Sequence, residues 1–164
     1  MRVVFDSSAV IYIQDFRKFE EVLIPPSVVE EIKDKLSRMK LEAFEFKVVQ
    51  PEKKFLEIVK KVAEKTGDLE KLSKADLEVL ALAKQFSLKI VSDDYSIQNV
   101  AKMLGIDYIT ISTKGIKKVF IWKKFCVVCG RKFEKSLNVC PFCGGKLKRK
   151  PEFGCLKKRK DQQD

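Results

Sequence analysis

The sequence predicts an α/β fold with a mainly parallel sheet, followed by a small cysteine-rich module. Three observations carry this. Short apolar runs alternate with helix-period segments through the first two thirds of the 164 residues, the pattern of βαβ units. Around residues 115–120 helical periodicity stops and closely spaced Cys, Gly and Lys begin. Charge shifts at the same place. Residues 1–120 hold 21 basic and 19 acidic residues, and residues 121–164 hold 13 and 4, so +9 of the net +11 sits on the last quarter.

RVVF (2–5) reads as a buried strand ending at Asp6, and SSAVIYI starts a helix. VLIP (22–25) is a second strand, stopped by Pro25 and Pro26. Residues 27–40 read as one helix whose face is Val28, Val29, Ile32, Leu36 and Met39. FKVV (46–49) is a third strand. Residues 51–67 form an amphipathic helix with Pro51 at its start, Phe55, Ile58, Val59, Val62 and Ala63 inward, and Gly67 as the stop. A helix over 72–86, a strand over 88–92, a helix over 93–105 and a strand over 107–111 complete the unit. No apolar run approaches the roughly 18 residues that span a bilayer, and the start has too short an apolar stretch for a signal peptide. The chain therefore reads as soluble and cytoplasmic, without a membrane partner.

The sequence contains no histidine. That excludes histidine acid–base catalysis, His-dependent triads and mixed Cys/His metal sites. Hydrolytic chemistry would have to run on carboxylates, metals, lysine or cysteine.

Cys126-x2-Cys129 and Cys140-x2-Cys143 each precede a glycine that permits a tight backbone. Two such knuckles supply the tetrahedral four-thiolate set that Zn²⁺ favours, with iron as the competing ion. Disulfides are disfavoured in a reducing cytosol, and a redox motif would occur once rather than twice. A closed four-sulfur site has no open position, so one zinc here is structural. Cys155 is left over as a tail thiol. Basic and aromatic residues interleave around the knuckles. Lys123, Lys124, Arg131, Lys132, Lys146, Lys148 and Arg149 are candidate phosphate contacts. Phe125 and Phe133 read as core of the small module, while Trp122 is open to a base-stacking role.

Several acids fall at strand ends and helix starts. Asp6 follows the first strand, and Asp93 and Asp94 follow KIVS. In an open parallel sheet these positions share the ligand-binding edge. Glu31 flanks the apolar stripe of its helix, whereas Glu30 points away. Asp76 and Asp94 each stand three and seven residues before apolar positions of their helices. Each acid also has an ordinary explanation: Asp6 and Asp93 as N-caps, Ser73 and Asp76 as a capping box, Glu31 as a solvated residue. Inward carboxylates are costly unless paired, protonated or bound to a cation, so four together favour a metal site.

FDSSA, VVEEI, LSKADLEVLALA and SDDYSIQNVA, in this order, resemble the motifs of PIN-domain nucleases. The last two, with the ribbon following, resemble the archaeal and eukaryotic NIN-one-binding protein family. The resemblance covers about residues 1–112 for a three-layer PIN-like fold and about 120–150 for the ribbon. With the change of pattern near 115–120, the expected division is a PIN domain over 1–117, a zinc ribbon over 118–150 and, because 151–164 has little to bury, a basic flexible tail there. The resemblance implies an endoribonuclease of ribosome assembly that matures the 3′ end of small-subunit rRNA. It puts the acidic site on Asp6, Glu31, Asp76 and Asp94, holding one or two Mg²⁺ or Mn²⁺ ions, with Asp93 in a second tier and Ser92 assisting. Precursor rRNA, the small subunit and assembly factors would be the partners. Two rivals share the motifs: a toxin-type PIN ribonuclease cutting another RNA, and a non-catalytic RNA-binding assembly factor. The enzyme reading requires the four acids to meet within a few ångströms in one anionic pocket.

Overall fold

A computed structural model describes residues 1–133 and 137–153, and the chain divides into a unit Met1–Lys117 and a second beginning at Lys118. The first is α/β. Its strands are β1 (Arg2–Phe5), β2 (Glu21–Ile24), β3 (Lys47–Val48), β4 (Lys89–Val91) and β5 (Tyr108–Ile109). All four pairings are parallel, in the order β3-β2-β1-β4-β5. The helices on its two faces are α1 (Ser7–Tyr12), α2 (Pro26–Glu31), α3 (Lys35–Ala43), α4 (Lys53–Thr66), α5 (Lys74–Phe86) and α6 (Tyr95–Leu104).

This order makes β1 central. The chain winds from β1 toward β2 and β3, then returns to the other side for β4 and β5. The reversal lies between β1 and β4, so the ligand crevice of such a sheet opens beyond their carboxyl ends. Asp6 directly follows β1, and Ser92, Asp93 and Asp94 follow β4. The sheet is anchored by buried Val3, Val4, Phe5, Leu23, Ile24 and Ile90, against Val79, Leu80 and Leu82 of α5 and Val100 of α6. Phe5 at the end of β1 also meets the rings of Phe16, Phe19 and Phe46, which ties the acid-bearing end of the strand to a rigid aromatic cluster.

The expected helix over 27–40 is two helices. Ile32 ends α2 in an extended conformation, and Asp34 caps α3 by accepting from Ser37 N at 2.8 Å. The aspartate offers the backbone an alternative to continued helix. The break turns Leu36 and Met39 into solvent, at 68% and 55% exposure, rather than onto the inward stripe with Val28 and Ile32. Pro51 lies before α4, which Glu52 precedes as N-cap residue, and Ile58 is exposed while Val59 and Ala63 are buried.

The second unit contains an antiparallel sheet of β6 (Phe120–Cys126), β7 (Lys132–Phe133) and β8 (Leu147–Phe153), in the order β7-β6-β8. Residues 151–153, expected in the tail, are strand: they pair with Trp122, Ile121 and Phe120. Cys155 and the rest of the expected tail, 154–164, lie outside the described residues. No helix among the described residues is long and apolar enough to cross a membrane.

One contact fixes α1 from its far end. The Lys40 ammonium donates to the carbonyls of Ile11 at 2.6 Å, Ile13 at 3.1 Å and Val10 at 3.4 Å. A cation there satisfies orphan carbonyls and complements the helix dipole. Lys40→Met is expected to lower the unfolding free energy by about 1 kcal/mol in urea titrations at low salt, and by less at high salt. An unchanged midpoint would show that the cap contributes nothing.

Candidate active site and metal centre

Four elements each bring one carboxylate to the carboxyl edge of the sheet. Asp6 is the floor, buried at 3% exposure. It is the N-cap of α1, accepting from Ala9 N at 2.7 Å and from the Ser8 hydroxyl at 2.8 and 2.9 Å. Asp76 is half-buried. It closes a capping box at the start of α5, accepting from Ser73 N at 2.7 Å while its own N–H donates to the Ser73 hydroxyl at 3.2 Å. Asp94 is exposed and caps α6 through Ser96 N at 2.6 Å and Ile97 N at 3.0 Å. Glu31, also exposed, ends α2 and accepts from the Ser7 hydroxyl at 2.6 Å. Three of the four therefore do the ordinary work of helix starts and also share one edge; the two explanations are compatible.

Asp76 is the electrical centre of the group. Burial pushes its carboxyl above the ordinary range against the hydrogen bonds from Ser73, and the charges of Asp94 and Glu31 push it further. Burial likewise raises Asp6, against hydrogen bonds from Ser92, Ala9 and Ser8, and the charge of Asp76 adds to the rise. Ser92 bridges the ends of β1 and β4: it donates to Asp6 and accepts from Asp94 N at 3.0 Å. The Ser92 carbonyl is held in turn by the buried Gln98 amide at 3.1 Å.

Contrary to expectation, the four acids do not meet on one point; they share the sheet edge without closing into a compact cluster. Among the described residues, the only set of three or more metal-ligating side chains whose ligand atoms all lie within 4.8 Å of one another is cysteine. The carboxylates are close enough to raise each other's proton affinity, but they do not form a closed cage. A hard divalent cation fits such a set. Mg²⁺ in particular keeps several waters and takes one or two carboxylates together with substrate phosphates.

Asp93 lies apart from this group. It accepts from Ile111 N at 2.8 Å, Ser112 N at 2.9 Å, and the Ser112 and Thr113 hydroxyls at 2.6 and 3.1 Å. Burial alone would raise its pKa, but these bonds hold the carboxyl well below the usual range. It pins the segment after β5, and its neighbour Asp94 is the cap of α6. Sequence reasoning missed Glu78, a buried carboxylate two residues beyond Asp76, and Gln98. The signal for Glu78 was present: an acid inside the otherwise apolar run LEVLALA.

In the second unit the cysteine sulfurs converge. Cys126 and Cys143 are 3.4 Å apart, and Cys129 and Cys140 3.7 Å. These separations are far too long for a disulfide, and near the edge of about 3.8 Å expected for four sulfurs at 2.3 Å from one tetrahedral ion. Gly130 and Gly144 follow the knuckles with φ of 72° and 69°. At Gly145 a Cβ would lie 2.8 Å from the Cys126 sulfur, so only glycine fits. Amide donors from Cys129 and Val128 lower the Cys126 thiol to about 6. Cys143 accepts from Gly145, which lowers it, yet the adjoining Cys126 sulfur and burial push it up to about 12. Four thiolates do not coexist here without a cation, and the donor set fits a soft, tetrahedral one.

The basic candidates divide between the faces of the three-stranded sheet. Strand alternation and the pairings Lys124↔Arg149 and Lys124↔Phe133 put Phe120, Trp122, Lys124, Phe133 and Arg149 on one face. There the Arg149 guanidinium lies over the Trp122 ring at 4.7 Å, and Phe120 and Trp122 stack. Lys123, Lys132 and Lys148 are on the other face, where Lys132 and Lys123 hold Glu152 at 2.6 and 3.3 Å. Lys146 is exposed beside the knuckles, and Arg131 lies over the exposed Phe142 ring at 4.1 Å. Phe133 stacks on Phe142 and Phe125 is half-buried, neither one a closed core.

Residues 3–86 match a family model described as the PIN domain of ribonuclease. The chain is similar to Endoribonuclease Nob1 of Pyrococcus abyssi, at 44% identity over 90% of this chain and 92% of that protein. It is similar to Endoribonuclease Nob1 of Archaeoglobus fulgidus, at 40% over 86% of each. It is also similar to Ribonuclease VapC1 of Thermoplasma acidophilum, at 39% over 91% of this chain and 78% of that protein. At 91% coverage that last alignment must extend into the cysteine-bearing unit, so its name does not mark a chain confined to the nuclease unit. Sheet order, acidic edge and these matches define a PIN-type ribonuclease, a class that acts with divalent metals. Within that class, the chain belongs to the Nob1 endoribonuclease family.

The raised carboxyls make a linkage prediction. A group whose folded pKa lies above its unfolded value of 3.8 adds stability that is full below that value and lost as pH rises through the folded pKa. At neutral pH, without divalent ions, ionised Asp6 and Asp76 therefore strain the fold. Asp6→Asn and Asp76→Asn keep the cap acceptors and remove the charge. Each is expected to raise Tm at pH 7 in buffer without Mg²⁺ or Mn²⁺, with the gain shrinking toward pH 4. A lower Tm for both across that range would show that the charges support the fold.

Proposed function

We propose that this endoribonuclease cuts precursor small-subunit rRNA near its 3′ end, using Asp6, Glu31, Asp76 and Asp94 as ligands for one or two Mn²⁺ or Mg²⁺ ions. The observation that carries this is that Asp6, Asp76 and Asp94 each cap a helix start and Glu31 ends α2 beside α1, with the charges of Asp94 and Glu31 felt at Asp76 and that of Asp76 at Asp6. Family membership supports the choice of rRNA. It also supports a site of action in the cytoplasm, on the assembling small subunit with its assembly factors as neighbours.

A divalent cation held there supplies acidity to a water and charge to the phosphoryl oxygens during hydrolysis. The chain's part is positioning. Asp6 and Asp76 form the inner wall, fixed by backbone donors at two helix starts. Glu31 and Asp94 are the solvent-exposed members, on the side from which a phosphodiester would arrive. Ser7, Ser8 and Ser92 hold the carboxylates by donating hydroxyl hydrogens. In-line attack leaves 5′-phosphate and 3′-hydroxyl ends. Without cations, the clustered charge repels the RNA backbone.

The decisive assay is Mn²⁺-dependent cleavage of a precursor fragment spanning the 3′ end, with tRNA as a competing substrate. Asp6→Asn and Asp94→Asn are expected to lose at least about 100-fold in rate, the scale of removing one group that stabilises a transition state. Asp93→Asn stays within a few-fold, because that side chain serves the segment after β5. Equal cutting by wild type and Asp6→Asn would refute the site. Preferential cutting of tRNA would favour the toxin-type reading, and RNA binding without cutting the assembly-factor reading.

The second unit is read as a zinc ribbon that grips RNA. One Zn²⁺ on Cys126, Cys129, Cys140 and Cys143 would be structural, since four sulfurs leave no open position. The face bearing Trp122, Lys124 and Arg149 combines a stacking surface with basic groups that can meet phosphates. Lys124→Gln and Arg149→Gln are expected each to lower the slope of log affinity against log salt by about 1. An unchanged slope in both would move the RNA to another surface.

A further inference from the structure

We infer that Glu78 is a positioning residue for the acidic site: its buried carboxylate clasps Ser27 and thereby fixes where α2 presents Glu31. The inference rests on the nuclease reading of the carboxylate edge and adds to it a residue outside the ligand set.

The side chain is out of place by ordinary rules. It sits at 3% exposure on α5, among Leu77, Val79, Leu80 and Leu82. A carboxylate in such surroundings is costly unless its oxygens are satisfied. It accepts from the Ser27 hydroxyl at 2.5 Å, and the Gln50 amide reaches it at 3.4 Å. Lys74, one turn earlier on α5, is 3.8 Å away. Ser27 is itself buried, so the bond is shielded from water.

The helix at the other end of this bond needs it. α2 has six residues, and its N-cap, Pro25, makes no side-chain hydrogen bond. A helix this short does not hold itself in water; tertiary contacts decide its position. Val28 and Ile32 pack it against the core but leave rotation about its axis open to small changes. Ser27 and Glu31 are four residues apart, so they lie on one face. That face is held at one end by Glu78 of α5 and at the other by Ser7 of α1. α5 also carries Asp76, and α1 is capped by Asp6. The clasp therefore sets Glu31 in register with both inner carboxylates.

The test measures cleavage by the full chain as a function of Mn²⁺, with Tm recorded for each variant. Ser27→Ala and Glu78→Ala are expected to raise the half-saturating Mn²⁺ concentration at least about tenfold, the range found for groups that orient metal ligands. Glu31→Gln is the reference for loss of the ligand itself. Glu78→Gln keeps an oxygen that accepts from Ser27, so it is expected to stay below that tenfold rise. A purely structural role would lower Tm without moving the Mn²⁺ dependence. If Glu31→Gln shifts that dependence and Ser27→Ala does not, the clasp is wrong and the site stands. If Glu78→Gln is as impaired as Glu78→Ala, the charge acts directly and the clasp is again wrong. If Glu31→Gln shifts nothing, the assignment of Glu31 fails and the clasp falls with it.

Discussion

Burial of carboxylates at one sheet edge is the constraint around which the first unit is organised. Taking Asp6 and Asp76 out of water raises their proton affinity, and neighbouring charges, Asp76 on Asp6 and then Asp94 and Glu31 on Asp76, add a smaller rise. The fold offsets it locally. Three of the acids sit at helix N-termini, where backbone N–H groups and the helix dipole favour negative charge. Serine hydroxyls supply further donors at Asp6 and Glu31. The parallel sheet makes this feasible: every strand end on that edge leads into a turn or a helix start, so one edge collects caps from distant parts of the chain.

That same arrangement explains what was legible in sequence. Asp6 and Asp94 could be found because they directly follow apolar strands, and strand ends on one edge of a parallel sheet converge by geometry. Asp76 was found through its phase with Val79 and Ala83. Glu31, preferred over Glu30, accepts from the Ser7 hydroxyl, though the preference was argued through a helix that proved to be two. The break at Ile32–Asp34 was hidden because Leu36 and Met39 continue an apolar period that the fold leaves in solvent. Hydrophobic spacing cannot distinguish a continuous helix from one re-nucleated by a capping aspartate. Asp94 was set above Asp93 by its helical phase and by the motif match, but what Asp93 does was hidden for a related reason. Its role depends on a contact with residues 111–113, nearly twenty positions away.

Glu78 shows a different limit. Its helix reads as apolar, and an acid within it is easily taken for a residue on a wetted side. Only the approach of α2, from a segment some fifty residues earlier, turns it into a buried partner. The sequence marks Glu78 as an acid in an apolar run, but its partner is chosen by topology and so carries no pattern.

The two candidate metal centres would divide labour by donor chemistry. Sulfur in a closed tetrahedron gives a site that is complete without substrate, and its geometry is set by glycines that let the backbone approach the sulfurs, as at Gly145. Oxygen donors spread around an opening give a site that is incomplete until a phosphate arrives. The first kind can be read almost entirely from spacing, since two knuckles suffice to define it. The second cannot, because its ligands come from four elements and its occupancy depends on the substrate. The absence of histidine sharpens this separation. With no histidine, the four-cysteine set offers only sulfur and the acidic edge only oxygen, so the two donor sets differ in kind.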